Sequence, residues 1–168
     1  MLAKIARKDS GILLFGITPP KRNSAKDRIS EITAKTVSRI SGLPIDALVL
    51  YDIQDEPGRS GESRPFPFME TLDPYEFANT NLGSLEIPKI VYRATGKYTV
   101  EEFSGWISAV DVSRYASVFV GSPSENTIAE LTLKKAYSLR KDLNNNLLLG
   151  DVLIPERHAK RNEEHLRM

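Results

Sequence analysis

Residues 147–168 read LLLGDVLIPERHAKRNEEHLRM, an apolar run that turns polar at Pro155. An apolar run of this length with β-branched residues at its end is typical of a strand buried on both faces. Glu156, Arg157 and His158 follow at once. Because α/β proteins place their sites where parallel strands end, this stretch predicts a strand with a binding site at its exit. The alternative is an ordinary polar loop, in which these residue types are common.

Four similar apolar runs precede this one, at residues 11–18, 46–53, 87–95 and 115–121. Apolar residues at helical spacing lie between them. They predict a helix that begins with a capping box from Ser24 to Asp27 and ends at Gly42. They also predict a helix with Thr99 at its N-cap, a helix over residues 128–139 and a short helix over residues 75–81.

Five strands that alternate with helices predict a parallel α/β sheet with right-handed crossovers. Two architectures fit this pattern: a doubly wound sheet, or the first five or so strands of a TIM-type (β/α)8 barrel. The chain ends within an apparent helix, so we expect residues 1–168 to be a single, incomplete barrel domain. The open parallel edge of such a domain predicts self-association into a homo-oligomer.

The amino-acid composition of the chain argues against several classes of function. The net charge is +1, from 23 basic and 22 acidic residues. The chain therefore has no overall positive electrostatic field that would attract nucleic acid. The absence of cysteine excludes disulfides and thiolate nucleophiles. No apolar run reaches the roughly 20 residues of a membrane span, and the basic first ten residues lack the apolar core of a secretory signal. We therefore expect a cytoplasmic protein with a small-molecule ligand, no metal and no membrane partner.

Several strand ends together resemble the methylenetetrahydrofolate reductase family. Residues 15–20, FGITPP, are similar to the family's Phe-Glu-x-x-Pro-Pro, and residues 48–52 to its Val-Thr-Tyr strand end. Residues 88–89, Pro-Lys, resemble a Pro-His start, and residues 120–122, Val-Gly-Ser, stand where the family has Arg-Gly-Asp. Residues 155–158, Pro-Glu-Arg-His, look like the Pro-Glu-x-His exit that touches FAD. The order and spacing of these segments carry the resemblance.

The resemblance implies a flavin-binding barrel that transfers a hydride from NADH or NADPH, through FAD, to a folate-linked one-carbon unit. Such an oxidoreductase belongs to one-carbon metabolism and methionine biosynthesis. It also implies the residues that would bind the cofactor. They are Tyr51, Asp52, Gly121, Ser122, Glu156 and His158.

The chain also departs from the family pattern. Gly16 stands in place of the glutamate that protonates the folate, and glycine transfers no proton. Val120 and Ser122 replace the Arg and Asp of Arg-Gly-Asp, and Lys89 replaces the strand-three His. Two interpretations follow besides that of a non-functional gene fragment. One is a reductase-like enzyme whose acid is Asp52, Asp55 or Glu56. The other is a barrel that binds folate or a protein partner without reductase turnover.

Overall fold

The computed structural model describes residues 2–54, 69–121 and 130–152. Within them, five strands form one sheet, and all neighbouring strands are parallel. The strands are β1 (Leu14–Ile17), β2 (Ala47–Leu50), β3 (Lys89–Ala94), β4 (Tyr115–Val120) and β5 (Leu149–Gly150). The helices are α1 (Leu2–Ala6), α2 (Lys26–Ile40), α3 (Pro74–Thr80), α4 (Val100–Ala109) and α5 (Leu133–Leu143), with a 3-10 turn at Thr95–Lys97. The predicted parallel α/β fold is confirmed.

The strands lie in the sheet in chain order, β1-β2-β3-β4-β5. A doubly wound sheet reverses its strand order at a switch point. Consecutive strands of a (β/α)8 barrel instead lie side by side in chain order, with each helix on the outside. The described sheet therefore has the strand order of a barrel segment.

One face of the sheet, here called the outer face, carries the hydrophobic core. Strand residues such as Leu48, Val91 and Phe119 point to this face and pack with helix residues such as Phe103 and Ile107. All five are at most 1% exposed. Aromatic rings interlock within this core, since the Phe103 centroid lies 5.1 Å from that of Phe119. Burial of apolar area on this face stabilises the described fold.

The opposite face, here called the inner face, has a different lining. The register aligns one row across β1, β2, β3 and β4 and a second row across β3, β4 and β5. The residues of these rows and Tyr51 lie on the inner face, and they are Gly16, Val49, Tyr51, Ile90, Tyr92, Ala116, Val118 and Gly150. None of these residues belongs to the core cluster of the described chain. In a complete barrel this face would point to the barrel interior.

The ends of the helices agree with the local sequence signals in part. Thr99 caps α4 and forms a capping box with Glu102, which confirms the predicted N-cap. The short helix predicted over residues 75–81 is α3. The capping box predicted from Ser24 is wrong, because α2 has Ala25 at its N-cap and no side-chain cap. The helix also ends at Ile40, before the predicted glycine.

Two further differences concern the termini of the described chain. Helix α1 was not predicted from the sequence. Strand β5 comprises Leu149–Gly150, whereas the predicted strand ran through residues 147–154, of which 153 and 154 lie outside the described residues. No helix in the described ranges is both long enough and apolar enough to span a membrane.

Candidate functional site

The sequence-predicted site residues fall at the carboxyl ends of the strands where the structure describes them. Tyr51 and Asp52 follow β2 directly, and Gly121 follows β4. A Cβ added at Gly121 would meet Leu133 no closer than 3.9 Å, an ordinary contact. The described neighbours of Gly121 therefore leave room for a side chain at this position. The other predicted residues, Ser122, Glu156 and His158, and the predicted acids Asp55 and Glu56, lie outside the described residues.

Tyr51 and Tyr92 form a pair on the inner face, which we call the aromatic shelf. Their ring centroids are 5.0 Å apart, and the rings are tilted by 57°. Tyr51 is 42% exposed, while Tyr92 is half-buried. Burial raises the pKa of the Tyr92 hydroxyl, and the neighbouring Tyr51 raises it further. The shelf therefore offers a neutral aromatic surface with two phenol hydroxyls near the carboxyl edge of the sheet.

Because Gly16 has no side chain, the Tyr51 ring can pack directly against its backbone. A Cβ built on Gly16 would lie 2.8 Å from Cε2 and 3.1 Å from the hydroxyl oxygen of Tyr51. Real Cβ atoms are essentially never that close, so any side chain at position 16 would displace the ring. The position that resembles the family's acidic residue is thus filled by the Tyr51 ring.

Asp52 lies inside the protein rather than at the mouth of the site. Its carboxylate accepts hydrogen bonds from the backbone N–H of Ala94 at 2.8 Å, from Lys97 Nζ at 2.5 Å and from the Tyr98 hydroxyl at 2.9 Å. The Asp52 side chain is fully buried, and that of Lys97 is 6% exposed. Burial raises the pKa of the Tyr98 hydroxyl well above its usual range, so Tyr98 remains a donor. A carboxylate held by three donors acts as a structural acceptor.

Lys97 extends this ion pair into the segment that returns to the sheet before α3. Its ammonium also donates to the backbone carbonyls of Ile53 and Thr71, both at 3.3 Å, and lies 3.8 Å from Glu70. Nη1 of Arg22 in turn donates to both carboxylate oxygens of Glu70, at 3.0 Å each. These contacts join the connections that follow β1, β2 and β3. They fix the carboxyl edge on which the aromatic shelf lies.

Arg93 is a second buried cation, on the outer face. Its guanidinium lies 3.9 Å from the centroid of Tyr98 and 4.4 Å from that of Trp106, and it pairs with Asp73 at 2.5 Å. Asp73 also caps α3 by accepting from the backbone N–H groups of Tyr75 and Glu76. The stacked guanidinium therefore joins β3, α3 and α4.

Lys89 lies at the amino end of β3, opposite to the carboxyl edge. Its ammonium donates to the carbonyls of Leu85 at 2.6 Å and Ile87 at 3.1 Å, and the residue is fully buried. Burial lowers the pKa of Lys89 to about 8, with a smaller contribution from Arg114. The strand of six residues spans roughly 17 Å. The position of Lys89 therefore has a structural role and does not meet the shelf, contrary to its alignment with a family site residue.

A cavity of about 570 Å³ opens between the connection after β1, the first turns of α2 and residues 69–71. We call it the Pro19–Pro20 cavity. It is lined by Thr18, Pro19, Pro20, Lys21, Ser24, Arg28, Ile32, Ile53, Met69 and Thr71. Its volume is that of a small-molecule site.

Sequence reasoning missed Tyr92, Lys97 and the cavity. Tyr92 had a usable signal, because strict alternation along β3 places it on the face opposite to Val91 and Arg93. Lys97 had none, since its partner Asp52 lies 45 residues away in the chain.

No family model and no curated protein matches the chain. A solved structure does match: an uncharacterized protein from Clostridium thermocellum that binds two copies of 5-methyl-5,6,7,8-tetrahydrofolic acid. The two chains are 45% identical and superpose with a TM-score of 0.79. The match covers 99% of this chain and 52% of that chain. This chain therefore spans about half the length of that protein.

Proposed function

We propose that this chain binds a reduced folate of the 5-methyltetrahydrofolate class on the aromatic shelf, without reductase turnover. The observation that carries the proposal is the similar protein from Clostridium thermocellum, which binds that molecule and matches 99% of this chain at 45% identity. That protein is about twice as long. The proposal therefore uses only residues that this chain contains.

The aromatic shelf suits the pterin end of such a ligand. A pterin is a flat ring with hydrogen-bonding atoms on its edge, and an aromatic pair such as Tyr51 and Tyr92 supplies a flat apolar contact with two hydroxyl groups. The buried pair of Asp52 and Lys97 keeps the flanking strand ends in place. Such preorganisation lowers the entropy cost of binding.

The absence of turnover is inferred from the same corner of the sheet. Protonation of a folate needs an acid within hydrogen-bond reach. Position 16 is glycine, and the Tyr51 ring occupies the space of a side chain there. Asp52, one of the three substitute acids expected from the sequence, is fully buried and accepts from three donors. Neither position supplies a proton to a ligand on the shelf.

The family resemblance also implies FAD, with NADH or NADPH as reductant. Of the residues expected to contact the flavin, Asp52 does not fit, because its carboxylate is used inside the protein. Tyr51 fits a ring contact, which the folate would make in this proposal. We therefore derive no step through a flavin. We expect the purified chain to lack visible flavin absorbance and to leave NADH and NADPH unoxidised when methylenetetrahydrofolate is added.

Isothermal titration of the 168-residue chain with 5-methyltetrahydrofolate tests the proposal. We expect Tyr92→Leu to weaken binding about fivefold, since aromatic contacts add roughly 1 kcal/mol beyond buried area. Tyr75→Leu is the matched control, because Tyr75 packs on the outer face against Trp106 and Tyr115. Its affinity should equal that of the unaltered chain. Absence of binding, or equal losses in both variants, would refute the site, and NAD(P)H oxidation with bound flavin would restore the reductase interpretation.

A further inference from the structure

We infer that the Pro19–Pro20 cavity is a second binding site, separate from the aromatic shelf, for an anionic aromatic molecule of the p-aminobenzoylglutamate class. The choice of this ligand class rests on the proposed function, since p-aminobenzoylglutamate is the non-pterin end of a folate. The site itself rests on the geometry and charge of the cavity.

The walls of the cavity suit a flat apolar ring. Pro19 and Pro20 are buried, and they line the cavity together with Ile32 of α2. Ile53 and Met69 complete the apolar lining. A benzoyl ring fits easily within about 570 Å³, and typical small-molecule sites are roughly 300–1,000 Å³.

The charges on the lining have one sign. Lys21 and Arg28 line the cavity, and no carboxylate residue is among the described lining residues. Arg28 donates from Nη1 to Glu31, which uses one of the five N–H donors of a guanidinium. The Lys21 ammonium lies 3.5 Å from the Met69 sulfur, a weak acceptor. Both cations therefore retain donors for the carboxylates of a glutamate tail.

The start of α2 adds hydrogen-bond donors to the cavity. Ser24 and Arg28, which both line the cavity, bracket the first turn of the helix. Ala25 at the N-cap provides no side-chain acceptor for the first backbone N–H groups. These uncapped N–H groups therefore add donors beside the two side-chain cations, while the Asp27 carboxylate in the first turn partly offsets the positive end of the helix dipole.

The cavity and the aromatic shelf are neighbours that have no described residue in common. Thr18 and Ile53 lie two residues beyond Gly16 and Tyr51, so the two sites adjoin the same strand ends. The cavity, however, is lined by residues of α2, which covers the outer face, whereas the shelf lies on the inner face.

The test is titration of the 168-residue chain with p-aminobenzoyl-L-glutamate, which has no pterin. We expect saturable binding that Arg28→Gln weakens about tenfold, because charge-assisted hydrogen bonds to a carboxylate are lost. Arg39→Gln is the matched control, since Arg39 is exposed on the same helix about 16 Å further along its axis. Ile32→Trp should abolish binding by filling the cavity without a change of charge. Circular dichroism checks its folding, and Arg28→Gln, a change at a surface residue, decides the matter if Ile32→Trp does not fold.

The two proposals fail separately. Tyr92→Leu should leave binding of p-aminobenzoyl-L-glutamate unchanged. If this probe does not bind, or if Arg28→Gln and Arg39→Gln bind it equally, the second site is refuted whatever the shelf does. If the probe binds with the expected dependence on Arg28 while Tyr92→Leu leaves the binding of 5-methyltetrahydrofolate unaltered, the shelf is refuted and the cavity stands.

Discussion

The two faces of the sheet differ in how tightly they are packed and in which side chains they expose. The outer face is covered by helices and packed with large aromatic and aliphatic residues such as Phe103 and Phe119. The inner face has glycine, valine and a tyrosine pair, and its Tyr51 is 42% exposed. Stability and the binding proposed for the aromatic shelf are therefore assigned to opposite faces of the same five strands. Changes on one face should leave the property of the other face largely intact.

The strongest way to test this separation is to remove a core ring. Phe103 is fully buried against Trp106 and Phe119. Phe103→Ala should lower the free energy of unfolding by about 3–5 kcal/mol, through lost burial and the cavity that remains. Urea unfolding followed by circular dichroism measures this loss. On the inner face, Tyr51→Leu should cost less than about 1 kcal/mol, and similar losses for the two variants would contradict the comparison.

The ion pair at the carboxyl edge supports both faces and should give the next largest effect. Lys97→Met leaves the fully buried Asp52 carboxylate without its cation, which should cost about 3 kcal/mol. The double variant Asp52→Asn with Lys97→Met removes the unpaired charge, and it should recover much of this loss. A double-mutant cycle in urea measures the coupling. Strictly additive effects would show that the two groups do not interact as described.

Lys89 makes the stability of the outer face depend on pH. Its folded pKa of about 8 lies below the usual value of 10.5, so the unfolded state binds more protons in that window. Stability contributed by Lys89 should therefore rise with pH, by about 1–2 kcal/mol from pH 8 to about 9.5. The measured quantity is the unfolding free energy of the unaltered chain minus that of Lys89→Met, in which the titration of other groups cancels. A difference that falls with pH would contradict this assignment.

The smallest effect concerns glycines, and it sharpens the difference between the faces. Gly16→Ala should displace the Tyr51 ring, cost about 1 kcal/mol in stability and weaken folate binding on the shelf. Gly105→Ala is the control, because a Cβ there meets nothing within 4 Å and the residue lies in α4. It should raise stability by about 0.5–1 kcal/mol through helix propensity and leave binding unaltered. Thermal unfolding and the folate titration measure both properties. If Gly105→Ala lost folate binding, the affinity would not depend specifically on the aromatic shelf.

Much of the fold could be read from local patterns. The five apolar runs and the helical stripes between them predicted a parallel sheet, and Thr99 with Glu102 predicted the start of α4. These signals depend on contacts between residues a few positions apart, so the sequence displays them directly. The capping signal at Ser24 was misleading, because the N-cap of the helix is the next residue, Ala25.

Local patterns in the chain specify the succession of strands and helices and the alternation along each strand, and the composition excludes cysteine chemistry. The packing of the folded chain brings Tyr51 against Tyr92 and Gly16, and it buries Asp52 with Lys97. It likewise placed Lys89 at the amino end of the sheet, far from the shelf. These placements depend on strand register and on contacts between residues some 40 positions apart, which local periodicity does not encode.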